Sequence, residues 1–398
     1  MPAVPSSLTV LAAGHLDVLA RSDPPAAGAV PAGLLDALAQ VPDPRDPRGV
    51  RYDLVPILAV AVCATLAGAR SYAAIAEWAG DAGPDLRAGL GLPGAVPDLV
   101  TIWRVLTAVD PVALDRAAGS WVSTQLAARR VPGARVALAV DGKTLRGARA
   151  GDNPAPHLLA CLDQASGAVC AQVAVDGKTN EITMFATLLD QIPRLGGALV
   201  SADALHAQRE HATYLRGRGA HYLLTEGNQP GLHRQLRSLP WKDVPAGHVQ
   251  AGRAHGRTEK RTIKAVTVTA GLAFPHAAQA IQITRRTRRH GGRKWRTETS
   301  YAITSLPACQ ARPAQLADWI RGHWKIENQL HWVRDVTFGE DLSAARTGTG
   351  PHVMATIRNL VISILRLAGH TSIARALRHT ARNPARAFRL LTEASNGQ

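Results

Sequence analysis

Cysteine is scarce in this sequence, and the few cysteines show no paired spacing. The four residues are Cys63, Cys161, Cys170 and Cys309, and no two of them form a C-x-x-C motif. This scatter argues against a disulfide-stabilised scaffold and against a cysteine-rich zinc module. We therefore expect a protein of a reducing compartment, the cytoplasm.

Long hydrophobic runs are also lacking. The longest apolar stretch, residues 54–69, has 16 residues and contains Pro56, whereas a membrane-spanning helix needs about 20 apolar residues. Residues 1–8 carry no lysine or arginine, and secretory signal peptides begin with a basic segment. These absences predict a protein that is neither secreted nor bound to a membrane.

Acidic residues are few relative to basic ones. Asp plus Glu number 30 against 46 Lys plus Arg, so the net charge is +16. Such an excess predicts a polyanionic partner, with nucleic acid more strongly indicated than an anionic membrane. At 398 residues, the chain is long enough for about two to three domains of roughly 150 residues each.

The helix and strand signals divide the chain into four parts. Residues 1–39 are rich in Ala, Pro, Gly and Ser, so only partial order is expected there. Residues 40–132 show helical periods alone, with Asp98 well placed as an N-cap, and predict a small all-helical domain. Residues 133–370 alternate strands and helices, and residues 371–398 form an Arg- and Ala-rich basic tail.

Strands and helices follow a defined order between residues 133 and 228. The predicted elements are strands at 136–140, 157–162 and 169–175, a helix, a strand at 198–202, a helix, and a strand at 221–225. This is the order of the ribonuclease H-like fold, so the predicted fold class is α/β. Asp141 and Asp203 follow the first and fourth strands, at the sheet edge where open α/β sheets hold their sites.

The segment 229–306 alternates apolar and polar residues and predicts a β-rich insertion. Within it, residues 285–296 contain seven Lys or Arg residues and one tryptophan. We interpret this basic arm as a hairpin tip that contacts phosphates, although a solvated hairpin would have the same composition. Its candidate DNA-binding residues are Arg285, Arg286, Arg288, Arg289, Arg293, Lys294 and Trp295.

A helix is predicted to begin after residue 313 and to continue through Arg334. On a period of 3.6 residues, His323, Glu327, His331 and Arg334 fall along one face. A solvated polar face would show the same pattern. A zinc site made by His323, Glu327 and His331 is a further alternative, and it would leave both aspartates unused.

Asp141, Asp203 and Glu327 have the side chains that hard divalent cations such as Mg²⁺ or Mn²⁺ prefer. Two such ions about 3.5–4 Å apart can promote phosphoryl transfer by activating the attacking oxygen and stabilising the leaving oxygen. One aspartate at a strand end is a weak signal. The three carboxylates together, in these elements and in this order, are a much stronger one.

The sequence resembles the DDE transposases of bacterial insertion sequences, in the ISAs-type and H-repeat-associated subgroup that carries an N-terminal transposase-associated helical domain. The resemblance covers residues 40–367, and its last stretch is the most specific. The matching stretches are residues 141–147, 178–182, 202–206, 227–229, 255–257 and 323–341, with further matches at 43–45, 68, 97 and 101–106.

The resemblance implies that Asp141, Asp203 and Glu327 are the catalytic triad and hold two Mg²⁺ or Mn²⁺ ions. It implies DNA partners, namely the terminal inverted repeats of the element and the target DNA. It also implies a homodimer in the DNA complex and a cytoplasmic, nucleoid-associated location.

The wider superfamily carries a Tyr, Arg, Glu, Lys signature on the glutamate helix. Here Ile320, His323 and Arg334 stand at the Tyr, Arg and Lys positions, so phosphate-binding roles for His323 and Arg334 are hypotheses. Glu226 stands where the subgroup usually has a lysine, which removes one basic DNA contact. The remaining candidate DNA-binding residues are Lys143, Arg146, Asn228, His255 and Arg257.

The implied reaction is hydrolytic nicking at the element ends, followed by joining of the freed 3′-hydroxyl to target DNA. A domesticated, non-catalytic DNA-binding protein is an alternative, although it would have no need of the triad. A ribonuclease H-like nuclease that cuts without joining would have the same residues. Trp295 or Trp241 stacked on a flipped end base would suit a hairpin-forming mechanism.

Overall fold

The computed structural model describes residues 33–92, 94–149, 154–175, 180–254, 256–268 and 271–396. Within these residues the strands form one nine-stranded sheet. The strands are β1 Ala137–Thr144, β2 His157–Asp163, β3 Val169–Val175, β4 Leu199–Ala202, β5 His221–Thr225, β6 His248–Ala254, β7 Arg257–Thr267, β8 Gln279–Arg289 and β9 Arg296–Thr304.

The described residues before the sheet form helices, as predicted for 40–132. The capping prediction is confirmed, because the Asp98 carboxylate accepts a hydrogen bond of 2.7 Å from the Thr101 N–H. The helices are α1 Leu34–Leu38, α2 Leu54–Leu66, α3 Tyr72–Asp81, α4 Pro84–Gly89, α5 Leu99–Leu106 and α6 Pro111–Arg129. All of α2 except Val55 is buried, which explains why this helix is apolar on every side.

The first five strands have the order predicted for a ribonuclease H-like fold. Strand β1 pairs antiparallel with β2, and β2 pairs antiparallel with β3. Strand β1 also pairs in parallel with β4, which pairs in parallel with β5. Helix α7, Glu181–Asp190, connects β3 to β4, and helix α8, Arg209–Gly217, connects β4 to β5. The predicted fold class is therefore confirmed.

The β-rich insertion extends this sheet instead of forming a separate layer. After helix α9, Pro230–Ser238, strands β6 to β9 form an antiparallel meander, and β9 pairs with β5. The prediction that residues 285–296 form a hairpin tip is wrong in part. Strand β8 reaches Arg289 and β9 begins at Arg296, so several arginines of the basic arm lie in paired strands.

The predicted helix through Arg334 is not one regular α-helix. Helix α10, Pro313–His323, is followed by two π-helical segments, Ile326–His331 and Val333–Thr337. These wider turns change which residues share a face. The Glu327 side chain is 55% exposed whereas Arg334 is fully buried, so the prediction of one shared face is wrong.

The described residues of the predicted basic tail form two helices. Helix α11, Gly350–Leu367, is followed by α12, Ile373–Ala381, and α13, Pro384–Asn396. Phe388 and Leu391 are buried, and the Trp121 indole donates to the Ala394 carbonyl at 2.9 Å. The basic residues of this segment lie on the outer faces of amphipathic helices.

One hydrophobic core joins the N-terminal helices to the region around the π-helical segments. Buried residues of α2, α3, α5 and α6 belong to the same cluster as Ile326, Leu330, Phe338 and much of α11. The division of the chain at residue 132 stays a prediction, because helices from both sides contribute to this core. Within the described residues, no helix has the length and apolarity needed to span a bilayer.

Candidate active site

Asp141 and Asp203 lie next to each other across a parallel strand pair. In the β1–β4 register, Val140 is opposite Ala202, and each aspartate is the following residue. Asp203 directly follows β4 as predicted, but β1 continues for three residues beyond Asp141 because it stays paired with β2. The prediction that Asp141 ends its strand is therefore wrong, while the closeness of the two aspartates is as expected.

Glu327 and His331 meet Asp141 from the first π-helical segment. The His331 Nδ1 lies 3.0 Å from Glu327 Oε2 and 3.6 Å from Asp141 Oδ2. One ligand atom from each of these three residues lies within 4.8 Å of the others. The sequence places His331 four residues after Glu327, and the structure adds Asp141 from a distant strand to this pair.

Asp203 points partly toward solvent beside this group. Its carboxylate caps the 3₁₀ turn Ala204–His206 and accepts a hydrogen bond of 2.9 Å from the Leu205 N–H. It is not among the three residues whose ligand atoms lie within 4.8 Å of one another. The structure thus brings Asp141 and Glu327 together and leaves Asp203 at the adjoining strand end.

His323 lies beside the end of strand β4, close to Asp203. Its Nδ1 is 3.3 Å from the Ser201 hydroxyl, and burial lowers the pKa of His323 to about 4, although the charge of Asp203 opposes this. The imidazole is therefore neutral at pH 7, so a role as a cationic phosphate clamp is not supported. His323 is not among the residues whose ligand atoms lie within 4.8 Å of one another, so the structure does not assemble the zinc set of His323, Glu327 and His331.

The carboxylates are perturbed in a way that suits a bound cation. Burial raises the pKa of Asp141 to about 6, and nearby Asp203 and Glu181 contribute to this, while His331 and the Gly142 N–H oppose it. A hydrogen bond from His331 lowers the pKa of Glu327. One imidazole nitrogen thus lies between two carboxylates, where a divalent ion would neutralise their charge more fully.

The donor set fits a hard divalent ion. The group whose ligand atoms lie within 4.8 Å of one another consists of two carboxylates, Asp141 and Glu327, and the imidazole of His331, and carboxylate oxygens are ligands of hard divalent cations. His331 is buried, and its Nε2 has no hydrogen-bond partner among the described residues. The side chain is therefore held in place by its contacts with the two carboxylates.

Arg334 and Lys143 occupy buried positions, contrary to the prediction that they contact DNA. The Arg334 guanidinium is fully buried and pairs with Glu340 at 2.9 Å. The Lys143 side chain is 9% exposed, and its ammonium pairs with Asp335 at 2.6 Å. The π-helical turns direct Arg334 into the core, so neither cation faces solvent in this arrangement.

The basic arm contains exposed cations and one stacked tryptophan. The guanidinium groups of Arg286 and Arg288 lie 5.1 and 4.9 Å from the Trp295 ring centre. Arg285 is instead paired with Glu259 at 2.8 Å. The candidates that are exposed are Arg146, Asn228, Arg257, Arg286, Arg289, Arg293 and Lys294, while His255 lies outside the described residues.

Two further candidate positions are buried. The Trp241 indole is 6% exposed and donates to the Leu236 carbonyl at 2.7 Å, so its ring is not free to stack on a base. Glu226 is 6% exposed and its carboxylate lies 2.6 Å from the His233 Nδ1. This histidine pairing explains how an acidic side chain is accommodated at a position where a lysine was expected.

Sequence reasoning missed a second polar cluster near Asp141, centred on Glu181. Its Oε1 lies 2.7 Å from the His157 Nε2, and its Oε2 lies 3.2 Å from the His206 Nε2. Although burial opposes it, hydrogen bonds from the two histidines lower the pKa of Glu181 to about 2. The signal in the sequence was the match at residues 178–182, of which Lys178 and Thr179 lie outside the described residues.

Comparisons with known proteins agree with this fold. A family model described as DDE_Tnp_1-associated matches residues 35–122, and one described as Transposase DDE domain matches residues 132–364. "Putative transposase YncI" of Escherichia coli O157:H7 is 27% identical over 347 residues, which cover 84% of this chain and 87% of that protein. "H repeat-associated putative transposase YhhI" of Escherichia coli (strain K12) is 25% identical over 349 residues, covering 83% and 90%.

A solved piggyBac transposase synaptic complex with hairpin DNA aligns with 96% of this chain and 80% of that one, at 10% identity and a TM-score of 0.40. A likeness of this size carries no argument by itself. The Transposase DDE domain match, by contrast, spans more than half of the chain. The relatives YncI and YhhI also align with most of the chain. The protein therefore belongs to the DDE transposase family.

Proposed function

We propose that this protein is a metal-dependent DNA transposase that cuts the ends of its element by hydrolysis and joins the freed 3′-hydroxyl to target DNA. The meeting of Asp141 and Glu327 beside Asp203 is the observation that supports this most. Carboxylates gathered at one edge of a ribonuclease H-like sheet suit phosphoryl transfer, because this reaction depends on positioning and charge neutralisation.

Asp141, Asp203 and Glu327 would hold two Mg²⁺ or Mn²⁺ ions. When bound, such ions lower the pKa of the attacking water or hydroxyl and stabilise the leaving oxygen. The chain supplies the geometry. Pairing with β2 holds the Asp141 backbone, and pairing with β4 holds Val140 before it. The Gly142 N–H donates to the Asp141 carboxylate at 3.0 Å, and His331 orients Glu327.

Lys143 contributes charge to this site without facing solvent. It follows Asp141 by two residues on β1, so both side chains project to the same side of the sheet. Its ammonium pairs with Asp335 at 2.6 Å, and its charge helps to lower the pKa of Glu327. We infer that Lys143 limits the repulsion between the carboxylates when the ions are absent.

The exposed cations of the basic arm support DNA as the substrate. Phosphate contacts of this kind give most of the affinity and make it salt-dependent. The proposed partners are the terminal inverted repeats of the element and a target duplex. Two copies of the chain would hold the two ends, and the reaction would take place on DNA of the nucleoid.

The triad is tested by three substitutions. Asp141→Ala, Asp203→Ala and Glu327→Ala are each expected to reduce Mg²⁺-dependent cleavage by roughly 100-fold or more, because each removes a group that neutralises transition-state charge. The substrate is a DNA fragment that carries the sequences flanking the gene. Binding of the same fragment, measured by gel shift in EDTA, is expected to be unchanged.

Asp318→Ala is the matched control, because Asp318 is an exposed carboxylate on helix α10. It is expected to cleave like the wild type. Full cleavage by any triad variant would remove that residue from the site. Cleavage without any joined product, in an assay that supplies a target plasmid, would support a nuclease in place of a transposase.

A further inference from the structure

Glu181 lies at the start of helix α7 with both carboxylate oxygens occupied. Its two partners are His157, at 2.7 Å, and His206, at 3.2 Å. The helix start is held by Asn180, whose side chain caps the first turn. Each oxygen of the Glu181 carboxylate therefore has a histidine partner. No step of the proposed reaction uses this carboxylate.

Each histidine lies on or next to a segment that carries one of the proposed catalytic aspartates. His157 is opposite Thr144 in the β1–β2 register, and its Nδ1 lies 2.8 Å from the Thr144 hydroxyl, three residues beyond Asp141. His206 ends the 3₁₀ turn that the Asp203 carboxylate caps. Through His157 of β2, Glu181 thus connects the strand of one aspartate to the turn of the other.

The Glu181 carboxylate also lies against the backbone next to Asp141. A Cβ atom placed on Gly142 would overlap Glu181 Oε1 and would lie 2.5 Å from His157 Nε2. Real Cβ atoms do not approach other atoms this closely. Glycine at position 142 is therefore required as long as Glu181 and His157 keep their contact.

The side of the cluster away from β1 is held by further contacts. His206 is fully buried, and His211 contacts its carbonyl at 3.1 Å and the Ile182 carbonyl at 2.9 Å. The Phe185 and His211 rings are stacked, with 4.1 Å between centroids. Helix α7 and the turn after Asp203 are thus held together as one body, from which Glu181 reaches β1.

A partly buried polar cluster of this kind is weak evidence for stability, because desolvation offsets much of the attraction. Its position between two aspartate-bearing segments indicates another role. We propose that Glu181 is a positioning residue that sets the spacing of Asp141 and Asp203 and thereby the affinity of the site for divalent cations. This inference rests on the proposed function, since it takes those aspartates as cation ligands.

Mn²⁺ binding to the full-length protein, followed by electron paramagnetic resonance of the free ion, tests this inference without DNA. Residues that orient metal ligands typically contribute about 10- to 100-fold to metal affinity. We expect Glu181→Ala to weaken Mn²⁺ binding by about tenfold or more. We expect Glu181→Gln to remain closer to the wild type, because glutamine keeps the length of the side chain and can bond to both rings.

The glutamine variant separates positioning from two other roles of the carboxylate. If Glu181 acted by its charge alone, or bound the ion directly, Glu181→Gln would weaken Mn²⁺ binding as much as Glu181→Ala. That result would overturn the proposal. Glu210→Ala removes an exposed carboxylate from neighbouring helix α8 and is expected to bind Mn²⁺ like the wild type.

A double-mutant cycle with Gly142→Ala gives a second test. The added methyl group must displace the Glu181 carboxylate, so Gly142→Ala alone is expected to weaken Mn²⁺ binding. With Glu181→Ala already present, the same change should have little further effect, because contacting groups are not additive. Fully additive effects would overturn the proposed coupling between the two positions.

The failures of the two proposals are distinguishable. If wild-type protein and Asp141→Ala bind Mn²⁺ equally, the cation site itself is wrong and the proposed function fails with it. If Asp141→Ala loses binding while Glu181→Ala retains wild-type affinity, only the positioning role fails. Thermal unfolding of each variant shows whether an effect on binding comes from loss of the fold.

Discussion

Two groups of arginines in this chain have opposite environments. The buried arginine cluster consists of Arg334, Glu340 and Arg358, where one carboxylate pairs with Arg334 at 2.9 Å and with Arg358 at 3.0 Å. All three side chains are at most 2% exposed. The basic arm, residues 285–296, instead presents several of its cations to solvent.

The comparison shows that the net charge does not identify the residues that meet DNA. Arg334 lies on the glutamate segment, yet its guanidinium contacts Glu340 and polar groups of β3 and α11. Arg358 also donates to the Arg70 carbonyl at 3.4 Å, which ties α11 to the N-terminal helices. These arginines are part of the core, so among the basic residues of the two groups the proposed phosphate contacts fall to the arm.

The largest expected effect comes from breaking the buried cluster. Glu340→Ala leaves two buried guanidinium groups without their carboxylate and is expected to lower the free energy of unfolding by about 3–5 kcal/mol. Urea unfolding monitored by circular dichroism measures this. Glu298→Ala, which removes an exposed partner of Arg285 and Arg296 on the arm, is expected to change it by less than about 1 kcal/mol.

Equal losses of stability in the two variants would contradict the contrast between buried and exposed pairs. A fully folded Glu340→Ala protein with unchanged stability would show that Arg334 and Arg358 find other partners.

A smaller effect on the free energy of unfolding is expected when the pH is lowered. Although burial alone would raise it, the charges of Arg334 and Arg358 hold the pKa of Glu340 below its ordinary value. A lowered folded-state pKa means that the carboxylate stabilises the fold above the unfolded pKa, about 4.3, and that this contribution is lost as pH falls through the folded value. Wild-type stability should therefore decline below about pH 4.3 more steeply than that of Glu340→Gln.

The measurement is urea unfolding of both proteins at a series of pH values from neutral to acidic. Parallel pH profiles would show that Glu340 is not the carboxylate whose protonation destabilises the fold.

Substitutions in the basic arm are expected to have the smallest effect on stability. They are expected to weaken DNA binding. The double substitution Arg286→Ala with Arg288→Ala should weaken binding of any duplex. It should also reduce the slope of log affinity against log salt by about 1 for each phosphate that the protein no longer neutralises. Fluorescence anisotropy at several salt concentrations measures this. Arg389→Ala, an exposed arginine of α13, is the matched control.

An unchanged salt slope in the double variant would show that these two arginines serve only to pack against Trp295. If the double variant lost as much stability as Glu340→Ala, Arg286 and Arg288 would have a structural role like that of Arg334 and Arg358.

Much of the architecture was predictable because it depends on short-range signals. The five strands of the first half of the sheet, the cap at Asp98 and the position of Asp203 after β4 follow from apolar periods, turn residues and capping chemistry. The strand order then brings Asp141 beside Asp203, since parallel neighbours present their ends at the same edge.

The errors share a physical cause, which is that they depend on partners far away in the sequence. The π-helical turns after His323 form where the segment packs on β1, and they separate Arg334 from Glu327. Strand β1 likewise continues past Asp141 because it stays paired with β2.

The sequence by itself determined the family, the α/β class, the strand order and the identity of three candidate carboxylates, because these follow from local patterns and motifs. Only the tertiary structure decided that Arg334 is buried, that His331 lies between Asp141 and Glu327, and that Glu181 connects the strand of one aspartate to the turn of the other. Such contacts join residues from distant parts of the chain, and the local sequence does not encode them.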